Sequence, residues 1–551
     1  MGSSLPFDAD EWDYVVVGAG TAGCVLANRL SVGGNTVLVL EAGRRDWSPY
    51  IHVPAGVPKI KAAKYDWQYE AEPDDTRGGT VDRWPAGRVI GGTSSINGQV
   101  WTRGNPADFD SWELMGCPGW SYENVLPYFR RAESFKGGRD PYRGDHGPLS
   151  ISHTRVGHPL TDAFVIAAQQ AGFEYNADHN AARQEGVGYS QVTQRRGWRH
   201  STADAYLRPA RRRRSLRVLT TSFVERIILY RGSAEAVSYL QGGRRRVARA
   251  NREIIVSAGT IATPKLLMLS GIGPGPMLEE HRLPIMVESS GVGSNLQDNI
   301  CVTMQWSVNV PTLNRELNLK GVLRHGATFL LRGRGAATTA PAQALTFGHL
   351  SDSSPTPDYE IIFAPLGVRA KADRNEYPHT ARHDIGRLEM LENPTVTALP
   401  SVSHPRARGR VFLRSPDPQD QPKIEFPILS SSEDVATLVA SCREARRIFQ
   451  QPALRPFLVE EKLPGPAVRS HSDWENYLVM NAWAGMHAVG TCRMGTDDEA
   501  VVTPDLRVRG VRNLRVVDAS VMPALITGHT NAATVMIAER ASDLILGERQ
   551  S

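Results

Sequence analysis

The chain has 551 residues, 41% of them apolar and 22% charged, with 50 Gly, 36 Pro and five Cys. That composition belongs to a globular protein with ample core, and it excludes collagen-like, disordered and disulfide-scaffold classes. The net charge is only +5, and although just nine of the 63 basic residues are Lys, the arginines are dispersed among 58 acids, which argues against a nucleic-acid partner.

Asp13 to Gly18 opens the chain's first clear pattern, a short β-branched run ending in glycine and therefore a buried strand. Gly18-Ala19-Gly20-Thr21-Ala22-Gly23 follows, then a helical stretch from Cys24 to Leu30 and a second strand, Thr36 to Leu40, ending at Glu41. The spacing predicts a β-α-β dinucleotide-binding unit. Gly18 allows the tight turn, Gly20 lets backbone approach a pyrophosphate, and Gly23 lets the helix pack on the strand. Unpaired N–H groups at the helix start suit the phosphates, while the Glu41 carboxylate suits ribose hydroxyls and repels a ribose phosphate. FAD or NAD is favoured over NADP.

Gly87 to Gly98 is a second glycine-rich segment, whose closely spaced backbone donors suit an extended, phosphate-bearing cofactor. Arg211 to Arg214 is the one dense basic run, and it falls between a helix-like stretch and the strand Leu216 to Thr220, as a solvated turn would. Glu253 to Ala258 reads as another strand, followed by a helix that starts at Thr263-Pro264 and stops at Gly271. Strand-like runs at 302–308, 359–363 and 410–413 and a helix-like tract from Val435 to Phe449 predict a mainly antiparallel sheet backed by helices. Near the C-terminus the strand Leu514 to Asp518 ends in an acid, where open α/β sheets face their ligands. Two histidines, His487 and His529, lie beside glycine-bearing turns, and a last helix follows Asn531.

The five cysteines, at 24, 117, 301, 442 and 492, form no CxxC pair, so neither a disulfide framework nor a metal site is expected. No run approaches the ~20 apolar residues that span a bilayer, and no secretory signal is visible between Met1 and Trp12. The expectation is a cytoplasmic protein without integral membrane association.

Taken together, the N-terminal fingerprint, the segments Gly87–Trp101 and Gly259–Gly273, and the blocks around His487 and His529 resemble the glucose-methanol-choline (GMC) oxidoreductases, in that family's order and over nearly the whole chain. The resemblance implies an α/β fold, with a Rossmann-like FAD-binding domain (1–155, 205–303 and 486–551) interleaved with an α+β substrate-binding domain (156–204 and 304–485). FAD would be held by Gly18, Gly20, Thr21, Ala22, Gly23, Glu41 and Ala42, by Arg88, Gly92, Thr93, Asn97, Gly98 and Val100, and by Val224, Asp518, Ala519, His529, Thr530 and Asn531. Ile96 stands where some relatives carry a flavin-linking His, so the FAD is expected to be non-covalent.

The same resemblance implies alcohol oxidation. His487 would take the hydroxyl proton, His529 would orient the hydroxyl, and oxygen or a quinone-type acceptor would reoxidise the flavin. Trp483 and Met486 would wall the pocket and suit an apolar or aromatic primary alcohol. Gln343 stands where some relatives carry a Glu for a cationic head group, which weighs against choline. Many relatives have His where this chain has Asn299. A hydroxynitrile lyase and a choline or polyol dehydrogenase of the same family are the alternatives.

Overall fold

A computed structural model describes residues 10–60, 62–316, 329, 333, 335–351, 353–370 and 388–547. The strand Asp10–Val17 has its last four residues fully buried and lies parallel to both Val37–Leu40 and the long strand Arg244–Val256. Leu216–Leu219 extends this sheet beyond Val37–Leu40, and Leu514–Val516 joins it beside Arg244–Val256. The hairpin partners Ser233–Gln241 and Ser222–Tyr230 complete it in antiparallel fashion. Val, Ile and Leu without alternation mark the parallel strands because both faces are covered. The helix Thr21–Leu30 packs on this sheet and the last helix, Asn531–Gly547, packs along that helix, each burying most of its length in one apolar cluster.

Register places the carboxyl ends of four parallel strands in one line. Val17 is opposite Leu40 and Val256, and Val256 is opposite Val516; the residues just beyond are Gly18, Glu41, Ser257 and Val517, with Asp518 following Val517. Ligands of open α/β sheets bind at that edge.

The second sheet is antiparallel throughout, running Leu458–Leu463, Met304–Val308, Thr395–Val402, Tyr359–Ala364, Ala344–Gly348 and Gly186–Tyr189. Ile300–Val302 and Ala482–Ala484 attach at the end of Thr395–Val402. Period-two alternation separates its faces. Tyr359, Ile361 and Phe363 join an apolar cluster with the helices Pro159–Gln170 and Ser432–Phe449, whereas Glu360, Ile362 and Ala364 face a large cavity. Val396 and Ala398 likewise point to the helices, and Thr397, Leu399 and Ser401 to the cavity.

Two sequence expectations shift. Ile300–Val302, expected on the dinucleotide side of residue 303, pairs into the antiparallel sheet. The run at 410–413 forms a strand Arg410–Phe412, but its partner is Lys423–Glu425 in a separate two-stranded ribbon. Apolar alternation marks a strand without naming its neighbour. Among the described residues, no helix is long and apolar enough to cross a membrane. The five cysteines are buried thiols.

Candidate active site

Between the two sheets lies a cavity of ≈ 1110 Å³. Common small-molecule sites hold roughly 300–1,000 Å³, so the space suits an extended cofactor together with a substrate.

The floor is built from turns. Gly18 has φ +98°, and a Cβ there would sit 2.5 Å from the Ser257 carbonyl oxygen. Gly23 is not part of the cavity wall; its Cβ would be 1.9 Å from the Gly18 carbonyl oxygen, so glycine there serves the contact between helix and strand. Gly20 differs from both, because its Cβ would meet no protein atom closer than 3.9 Å, yet it lines the cavity. Gly98 shows the same openness. Protein packing leaves these two positions free, and an occupant approaching the backbone closely accounts for them. Thr21 and Ala22 line the same edge, and the helix starting at Thr21 has no side-chain cap for its first N–H groups. A phosphate fits there. Thr21 Oγ1 donates to Asn531 Oδ1 (3.0 Å), which joins the start of this helix to that of the last helix.

Glu41 is buried, and burial pushes its carboxyl up to about 7. Its oxygens accept from the N–H groups of Ala19 (2.8 Å) and Gly43 (2.7 Å). Ala42 lies beside it on the wall. From the second glycine segment, Arg88, Gly92, Thr93, Asn97, Gly98 and Val100 all reach the cavity, with the Arg88 guanidinium over the Trp67 ring. Asn97 Oδ1 accepts from Arg199 Nη1 (2.9 Å), which fixes the orientation of that amide. Val224 lines the far end, next to an irregularity in its strand's register. Asp518, Ala519, Thr530 and Asn531 close the remaining side. The Asp518 carboxylate is taken up by protein donors: Gly259 N–H, Thr263 Oγ1, and the N–H and hydroxyl of Ser520. It therefore shapes the turn that bears Ala519.

His487 and His529 meet in the cavity with ring centroids 4.6 Å apart and planes at 69°. The chain positions His487 through two residues the sequence did not single out for that role. Asp298 accepts from the N–H groups of Met486 (3.0 Å) and His487 (2.7 Å), pinning a turn in which Met486 has φ +69°, a left-handed conformation that favours glycine. Asn299 Nδ2 donates to the carbonyls of Val402 (3.0 Å) and Ser403 (2.9 Å), so its Oδ1 is the atom facing His487 Nδ1 at 2.8 Å. An amide oxygen only accepts. His487 therefore carries its proton on Nδ1, and Nε2 presents a lone pair. Enclosure in the protein lowers the His487 pKa to about 4, so the ring is neutral at ordinary pH. His529 is driven well below its usual value by burial and then by His487. Its backbone N–H donates to Thr102 Oγ1 (2.8 Å).

Trp483 and Met486 both line the cavity as expected from their place before His487, but Gln343 does not. Gln343 is buried, and its Oε1 accepts from Thr161 Oγ1 (2.7 Å) on the helix behind the sheet. The acid that the antiparallel sheet turns into the cavity is Glu360, from the neighbouring strand. Its Oε1 lies 3.8 Å from His529 Nδ1 and has no hydrogen-bond partner. Burial alone pushes its carboxyl up to about 8. Its signal in the sequence was a lone acid within the apolar run Tyr359–Ala364.

Among the described residues, Asp46, His52 and Asp204 stand close enough to hold a metal ion. They lie off the cavity wall, and both acids are paired with Arg208.

Two models of the GMC oxidoreductase family match the chain, one for its N-terminal part over residues 12–301 and one for its C-terminal part over 405–538. The oxygen-dependent choline dehydrogenase of Brucella suis biovar 1 is 38% identical over 542 residues, covering 98% of this chain and 96% of that protein. The corresponding Vibrio vulnificus protein is 39% identical over 544 residues, covering 97% and 94%. Among solved structures, pyridoxine 4-oxidase from Mesorbium loti superposes with a TM-score of 0.85 at 28% identity, covering 96% of this chain and 98% of that one. Formate oxidase of Aspergillus oryzae shares the fold, with a TM-score of 0.90 at 24% identity and coverage of 98% and 99%. The chain belongs to the GMC oxidoreductase family, and FAD is the cofactor expected of it.

Proposed function

We propose that this GMC oxidoreductase oxidises a primary alcohol to the aldehyde, with His487 as the base. FAD, when bound, supplies a two-electron acceptor for the hydride leaving the alcohol carbon. The chain's own residues do the rest. Gly20, Thr21, Ala22 and Glu41 would hold the adenosine-diphosphate part, while Arg88 to Val100 and Thr530 to Asn531 would flank the flavin, without a covalent link because Ile96 offers no nucleophile. Residues 1–155, 205–299 and 486–551 form the cofactor part in this reading, and 156–204 and 300–485 the substrate part, since Ile300–Val302 pairs into the antiparallel sheet.

An alcohol proton is too weakly acidic to leave unaided at neutral pH, and hydride departs readily only from an alkoxide-like carbon. A positioned base within hydrogen-bond reach solves both problems. The lock on His487 carries this reading: Asp298 holds its backbone and Asn299 holds Nδ1–H, which leaves Nε2 as acceptor for the hydroxyl proton. His529, 4.6 Å away between ring centroids, orients the oxygen.

The apolar or aromatic alcohol expected from Trp483 and Met486 gives way to a cationic amino alcohol of the choline kind. The curated relatives support this substrate class, and Gln343, bonded to Thr161 behind the sheet, is no objection to it. Oxygen is the favoured acceptor, on the strength of the same relatives. Anaerobic mixing of the FAD-loaded protein with choline tests the proposal and should bleach the flavin absorbance near 450 nm. An unbleached flavin with cyanide release from a cyanohydrin would replace it with a lyase.

A further inference from the structure

The register of the antiparallel sheet places four cavity-facing residues in one row across adjacent strands. Glu360 is opposite Ser401, Ser401 is opposite Cys301, and Cys301 is opposite Trp483. All four line the cavity. Adjacent strands are spaced about 4.8 Å apart, so roughly 14 Å separates the backbones at the two ends of the row. A long acid stands at one end, an indole at the other, and two small side chains lie between them. The result is a notch with an acidic wall, an aromatic wall and a shallow base.

Its chemistry is one-sided. Glu360 is 4% exposed, its Oε1 has no hydrogen-bond partner, and nothing positively charged contributes to its ionisation; burial alone acts on it. The nearest titratable group, His529, is itself held neutral by burial. A buried acid without a partner is costly, so the site gains most from an occupant that brings the missing positive charge. The indole face favours the same occupant, because the ring quadrupole attracts cations. Ser401 and Cys301 leave room for a compact group and offer it no anchoring charge.

We propose that the row Glu360–Ser401–Cys301–Trp483 is the subsite for a compact organic cation, with the Glu360 carboxylate as its countercharge, and that Glu360 is the residue selecting a cationic alcohol over a neutral one. This rests on the reading of the protein as an oxidase or dehydrogenase of primary alcohols. Glu360 lies beside His529, so a cation held here leaves a hydroxyl two carbons away within reach of the histidine pair. Gln343 has no part in recognition, since it is turned to the other face of the sheet.

The test uses the FAD-loaded protein and its Glu360→Gln variant, with retained flavin absorbance as the sign of an intact fold. Choline and its uncharged carbon isostere, 3,3-dimethylbutan-1-ol, serve as substrates, and tetramethylammonium serves as a cation without a hydroxyl. The expected result is a fall of at least 100-fold in kcat/KM for choline, carried mainly by KM, with the isostere changed less than threefold. Tetramethylammonium should compete with choline in the wild type and bind at least tenfold more weakly to the variant. An equal loss on both alcohols, or none on either, would overturn the subsite. If neither alcohol reduces the wild-type flavin, the functional reading fails, and the tetramethylammonium binding then decides the subsite alone. Loss of that binding in the variant supports the subsite, and unchanged binding overturns it.

Discussion

The floor and the roof of the cavity recognise their occupants by different means. The floor uses main chain: turns at the carboxyl ends of parallel strands, two helix starts joined by Thr21 and Asn531, and glycines that leave the backbone open. The roof uses side chains projected from alternate positions of antiparallel strands, among them Glu360, Ser401, Cys301 and Trp483. Main-chain recognition constrains which residues can stand at a position, because a Cβ or a wrong φ destroys the turn. Side-chain recognition leaves the strand intact whatever the side chain, so one fold can hold one cofactor and many substrates.

Five outcomes would sharpen or break that contrast. The largest effects belong to the floor. Gly23→Val puts side-chain atoms where Gly18's carbonyl stands and should abolish soluble, flavin-loaded protein. At Gly20→Val the new Cβ would meet no protein atom closer than 3.9 Å, so the variant should give a normally folded chain, by circular dichroism, whose flavin-to-protein absorbance ratio is near zero. A flavin-replete Gly20→Val protein would break the distinction between packing and ligand glycines.

Next is the support beneath the base. Asn299→Leu removes the acceptor that holds His487 Nδ1–H. Flavin reduction by a saturating alcohol should slow about 10–100-fold, as for outer-shell partners of histidine elsewhere, with KM little changed. Stopped-flow absorbance measures it.

Then comes pH. With the His487 pKa at about 4, the base is unprotonated from pH 6 to 9, so kcat/KM for a neutral alcohol should be flat across that range. Glu360, pushed up to about 8, is a neutral acid below that pH and a carboxylate above it. A cation needs the carboxylate, so kcat/KM for choline should rise about tenfold per unit up to pH 8 and then level off. Parallel profiles for the two substrates would refute the charge role. The smallest effect belongs to Gln343→Leu. It loses a hydrogen bond to Thr161 worth about 1 kcal/mol of stability but should leave kcat/KM within twofold, because Gln343 faces away from the cavity.

The same contrast explains what could be read from the sequence. Gly18, Gly20, Gly23, Glu41 and the Gly87–Gly98 segment carry their reason in their order, since glycine at fixed offsets after a strand has few other uses. His487 and His529 stand out as histidines flanked by glycine turns. Asn299 and Asp298 do not, because their function depends on a turn nearly 190 residues away that only the folded chain brings to them. Glu360 was visible as an acid in an apolar strand, but the strand's face was not, and a shift of one position reverses it. Gln343 shows the same ambiguity: the sequence marks its segment, but its side chain lies on the helix side.

Alcohol oxidation at this site depends most directly on His487. The measurement is the rate of anaerobic flavin reduction by choline in the wild-type protein and in His487→Ala, each carrying its full complement of FAD. Loss of a positioned general base predicts a fall of about 10²–10⁴-fold with flavin binding unchanged. A His487→Ala protein that reduces its flavin at a near-normal rate would contradict the assignment of the base and the reading of the Asp298–Asn299 lock built around it.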